Sequence, residues 1–118
     1  MQKLTEKDLH QLAMTTVGKS LEADGYEFLA VNSEAQKDPQ FVCTKDKALH
    51  FVVVRHVCYP KNPKDYDSKL MQEVKEHAIK FKAKTYFAGV GFAHASDYEK
   101  PLLKDEPYAI NYYGLQEI

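Results

Sequence analysis

Charge of one sign is what this chain most clearly lacks: 16 Lys and Arg against 17 Asp and Glu leave a net charge of −1. Such a balance gives no global attraction to a phosphate backbone, so nucleic-acid contact has to rest on a local patch. Long apolar runs are missing too, and nothing approaches the ~20 residues that cross a bilayer. The opening stretch Met1 to Leu9 mixes both charges and does not follow the signal-peptide pattern, so the expectation is a cytoplasmic protein with no membrane segment. Only two cysteines occur, Cys43 and Cys58, too few for the four ligands of a zinc ribbon or an iron–sulfur cluster. No internal repeat, low-complexity tract or linker divides the 118 residues, which is the length of one domain with its own core.

What is present is a clear succession of periodic segments. Residues 5–24 carry Leu9, Leu12, Ala13, Val17 and Leu21 at helical spacing, with Thr5 and Asp8 set as a capping box and Gly25 as the stop. Tyr26 to Asn32 is β-rich and reads as a first strand. A polar loop, Ser33 to Pro39, leads into a hairpin with strands at about 40–45 and 48–58. Pro60-Lys-Asn-Pro63 breaks the chain before a second helix over 66–82, striped by Leu70, Val74, Ala78 and Phe81. Thr85–Ala93 is β-like, with Gly89 and Gly91 on one face leaving room for a close neighbour. After a charged, proline-containing connection, Tyr108–Tyr113 closes as a last strand. The expected fold is α/β, a sandwich around a central mixed sheet in the order α-β-β-β-α-β-β.

The hairpin carries most of the information. Asp46-Lys47 is a two-residue loop with a turn-forming Asp, so Lys45 pairs with Ala48. Cys43 then faces His50, Phe41 faces Val52, and Gln40 faces Val53, with Arg55 two residues further along the same side. Gln40, Val53 and Arg55 therefore cluster. Cys43 is ~26 Å along the hairpin from Cys58, which excludes a disulfide between them. The second strand is apolar on both faces, as a strand in the middle of a covered sheet is.

This order, with Leu21-Glu-Ala-Asp-Gly-Tyr-Glu-Phe-Leu-Ala-Val-Asn32 and the hairpin that follows, resembles the restriction-endonuclease-like fold, and most closely the YraN-like family with its PD-(D/E)xK nuclease core. The resemblance spans roughly residues 10–90. It implies that an Asp and a Glu hold magnesium and that a Lys helps to position the attacking water. Carried over by position, the Asp falls on Gln40, the Glu on Val53, the Lys on Arg55, and a first-helix Glu on Met14. A hard cation needs anionic oxygens, and only the positive charge survives here. The expectation is a degenerate nuclease site with no catalytic residue, no metal and no cofactor. Its likeness to a nuclease implies a non-catalytic binding or interaction protein. Two alternatives stay open: a nuclease using relocated acids such as Glu22, Glu27 or Asp38, and a nucleic-acid-binding module contacting its partner through Arg55, Lys80, Lys82 and Lys84.

Other candidates have simpler readings. Arg55 is expected to pair with a carboxylate, since its planar fork takes one as readily as a phosphate. His50 and His56 share a strand face but stand ~20 Å apart, too far to ligate one metal. Cys43 opposite His50 imitates a nucleophile and base, but the second helix layer is expected to cover that face and leave the thiol inert. Asp97, Glu99, Asp105 and Glu106 read as a solvated loop. Tyr108, Tyr112 and Tyr113 fit a covered sheet edge, core packing or a homodimer contact. No other partner is indicated.

Overall fold

The computed structural model describes residues 2–118. Helix α1 (Glu6–Ala23) starts at the expected capping box: the Thr5 hydroxyl accepts from the Asp8 N–H at 3.1 Å, and the Asp8 carboxylate accepts from the Thr5 N–H at 2.9 Å. Gly25, at φ 88°, turns the chain out of the helix, a conformation that suits a residue without Cβ. Strands β1 (Glu27–Val31), β2 (Phe41–Lys45) and β3 (Ala48–Cys58) then form an antiparallel meander. Asp46 and Lys47 both take positive φ, 52° and 67°, as a tight hairpin turn of matching twist requires. The pairing of Lys45 with Ala48, Cys43 with His50 and Phe41 with Val52 is the register the loop implies.

Helix α2 (Ser68–Ile79), capped by Asp67 accepting from the Leu70 N–H at 3.1 Å, carries the chain over to β4 (Ala83–His94), which runs parallel to β3. Strand β5 (Tyr108–Tyr112) lies antiparallel on the far side of β4. A short β6 (Gln116–Glu117) also pairs with β4, beside its first half. The result is an α/β fold with two helices and a mixed, open, six-stranded sheet, β1-β2-β3-β4-β5 in order with β6 off that path. Two residues are too few to show alternation, so β6 was absent from the expected order.

Each helix covers one face. Leu9, Ala13, Met14, Val17 and Leu21 of α1 pack on Phe41, Cys43, Val52, Val54, Val90 and Phe92. On the other side Met71 and Val74 of α2 pack on Val53 and Phe87. The layer over Cys43 and His50 is thus α1, the first helix, while α2 covers Val53. Helix α2 ends before Phe81, which is exposed, because Lys82 takes φ 57°; its buried residues are Met71 and Ala78, with Leu70 and Val74 half-buried. The glycine pair does admit a close neighbour. A Cβ at Gly89 would meet the Pro63 carbonyl oxygen at 1.8 Å, and one at Gly91 the Pro63 ring at 3.2 Å. The connection from β3 to α2 therefore lies directly on β4.

Candidate functional site

The site the hairpin pattern singles out lies where β2 stops and β3 runs on. Pro39 has no N–H to offer a ladder. Gln40 makes the last contacts, donating its N–H to the Val52 carbonyl at 3.0 Å and accepting from the Asn32 N–H at 2.7 Å. Beyond it, β3 has no β2 neighbour, and the Val54 N–H faces that gap from a fully buried residue. The Gln40 side chain fills the place of the missing strand: its Oε1 accepts from the Val54 N–H at 2.8 Å. Its Nε2 donates to Asp38 Oδ1 at 3.0 Å.

Asp38 in turn receives Arg55 with both oxygens, Nη1 to Oδ1 at 2.8 Å and Nη2 to Oδ2 at 2.7 Å. Arg55 Nη1 also donates to the Val54 carbonyl at 3.0 Å, which closes the ring of hydrogen bonds on the residue where it began. Gln40 is fully buried, and the Asp38 and Arg55 side chains are 11% and 24% exposed. Burial pushes the Asp38 carboxyl up, but hydrogen bonds from Arg55 and Gln40 outweigh it and hold the group below the usual carboxylate range. Arg55 thus has the carboxylate partner expected of it.

Of the four positions marked by the family pattern, Gln40 and Arg55 come together through Asp38. Val53 lies between them but is fully buried under α2. Met14 belongs to the opposite layer, among the α1 contacts, so the four do not line one pocket. Among the possible relocated acids only Asp38 arrives. Glu27 pairs opposite Thr44, toward the other end of the meander, and Glu22 is exposed on the last turns of α1. Among the described residues no three of His, Cys, Asp and Glu gather as a metal site. Lys80, Lys82 and Lys84 are exposed, but Lys84 sits beside His50 and Arg55 beside Gly89, five residues or about 17 Å along the strands. The four cations therefore form no single groove.

Two features escaped the sequence reading. His10 is buried beside this network, with its Nε2 lacking a hydrogen-bond partner. Burial pushes its pKa down, and the positive charges of His56 and Arg55 act in the same direction, against a nearby Ser33 backbone group. Its ring centroid is 6.4 Å from that of His56, whose Nε2 lies 2.7 Å from Glu6 Oε2. A cleft of about 660 Å³ opens there between α1 and residues 33–36, lined by His10, Gln11 and His56 among others. The signal for His10 was its place four residues before Met14 on the buried stripe. The second feature joins Ser96, His94 and Glu106, where no such arrangement was expected. Ser96 Oγ is 3.1 Å from His94 Nδ1, and His94 Nε2 is 2.5 Å from Glu106 Oε2. The Ser96 N–H donates to the same Nδ1 at 3.2 Å, so the ring ties the 95–107 connection to β4 and Glu106 is not simply solvated.

Cys43 is buried, burial raises its thiol pKa to about 11, and its Sγ lies 3.8 Å from the His50 carbonyl. Among the described residues, no helix is long and apolar enough to cross a membrane. Comparison with curated proteins and with solved structures gives no match. A protein-family comparison does, over residues 7–118, and on that match the chain belongs to the family described as a domain of unknown function, DUF8840.

Proposed function

We propose that this chain is a non-catalytic binding protein on a nuclease-like frame, with the hairpin end of the restriction-endonuclease-like fold turned to structural use. Support for the frame comes from the order of elements. A helix, an antiparallel three-strand meander, a crossover helix and a parallel fourth strand are what the family resemblance implies. Support for the loss of chemistry comes from one observation: the Gln40 carbonyl is spent on the Val54 N–H, and the Asp38 carboxylate is spent on Arg55. A divalent cation there would meet one neutralised carboxylate and a buried Val53. Two free thiols suit the reducing conditions of the cytoplasm, the location we propose.

The test is incubation of single- and double-stranded DNA and RNA with the protein in Mg²⁺ or Mn²⁺ at low salt. The expected result is no cleavage and no retained nucleic acid. Metal-dependent cutting that Asp38→Asn abolishes would replace this reading with a nuclease of relocated acids. Salt-sensitive binding that weakens on Lys80→Ala would replace it with a nucleic-acid-binding module.

A further inference from the structure

The open sheet has two edges, and they are built differently. Along β1 the ladder is interrupted by a register shift between Phe28 and Ala30, and Glu27 adds a charge. Bulges and charges are the usual means by which a sheet edge is kept from pairing with another chain. Strand β5 itself has neither; on this edge the break comes after it, at residues 113–115, before β6 and its Glu117. The β5 sequence, Tyr108-Ala-Ile-Asn-Tyr112, contains no charge and no proline, and it pairs with His94 to Val90 of β4 without a break. Among the described residues no strand takes the outer side of β5.

Side chains on this strand match that open backbone. Tyr108 and Ile110 pair opposite His94 and Phe92, which puts them on the face that α1 covers. They remain 37% and 44% exposed, because α1 packs mainly over β3 and β4 and reaches β5 only at Tyr112. An apolar stripe therefore runs beside an unpaired row of peptide groups. The strand also reads almost the same in both directions about Ile110. Laid antiparallel on a copy of itself, it sets Ile110 against Ile110, Tyr108 against Tyr112 and Ala109 against Asn111. That gives aromatic and β-branched pairs with no like charges opposed.

We propose that the β5 edge docks a second copy of this chain, strand to strand about a two-fold axis at Ile110, so that one sheet continues through both copies. A two-fold contact needs a self-complementary patch, which this strand supplies. The pairing is independent of the hairpin chemistry, and a failed nuclease reading leaves it untouched.

The experiment has two arms. Sedimentation equilibrium of the wild-type chain gives a mass near twice 13.5 kDa, and Ile110→Lys, which opposes two charges at the axis, returns it to one with unchanged circular dichroism. Ile110→Cys forms a disulfide-linked dimer on mild oxidation, because residues facing across the axis have Cα atoms about 4.5–5.5 Å apart, within the span of a disulfide. Tyr59→Cys, exposed but off the edge, does not. A wild-type monomer at several hundred micromolar overturns the proposal. So does a dimer that survives Ile110→Lys while Ile110→Cys fails to cross-link.

Discussion

Gln40 does with a side chain what its neighbours do with a backbone. Its fully buried amide joins the Val54 N–H to the Asp38 carboxylate, and through it to Arg55. The position was legible, because a two-residue loop fixes the register and counting back from Val53 lands on Gln40. Its use was not, because spacing says nothing about which partner a rotamer reaches. His10 was missed for a related reason: a histidine on an apolar stripe carries no mark of what its ring meets. Its pH behaviour can be stated. Burial lowers the pKa of both His10 and His50, so folding favours the neutral rings. The unfolded chain takes up those protons first as pH falls through about 6.5, so their contribution is full above that value and is lost below it, toward the folded values. The urea midpoint is expected to be lower at pH 5 than at pH 7.5, and the difference to shrink in His10→Gln, with His50 sustaining the rest. An unchanged pH dependence in that variant contradicts the assignment to His10.

At the scale of elements, the informative boundary is the unequal length of β2 and β3. Strand β3 was readable from apolar residues on both faces, and its turn from Asp46, because burial on two sides and a positive-φ turn each leave a local trace. The close approach of Pro63 to Gly89 and Gly91 was readable in part, since glycines sharing a strand face mark room for a neighbour but do not name it. The end of α2 was not, because residues 80–82 continue a helical pattern that the positive φ of Lys82 interrupts. Where β2 stops, the sheet depends on Gln40 for the Val54 N–H. Gln40→Leu keeps the volume and removes the side-chain hydrogen bonds to Val54, Asp38 and Glu34, leaving the Val54 donor unsatisfied and Asp38 one partner short. The expected loss is about 2–3 kcal/mol by urea denaturation. A variant as stable as wild type would show that the side chain is not needed there.

For the whole molecule, the α/β class and the sequence of the long elements were visible in the pattern, since each repeats its own period. Which helix lies on which face was not, because amphipathic stripes show that a helix packs and not where. That arrangement separates Met14 of α1 from Val53 under α2 and denies the four marked positions a common pocket. The account therefore rests on a hairpin end whose polar side chains, Gln40, Asp38 and Arg55, hold the sheet together. The most direct measurement is the urea-unfolding free energy in Mn²⁺ against EDTA. A site binding the folded chain a hundredfold below the metal concentration adds about 2.7 kcal/mol. The account predicts superimposable unfolding curves. A Mn²⁺-induced shift of that size that disappears in Asp38→Asn would contradict it.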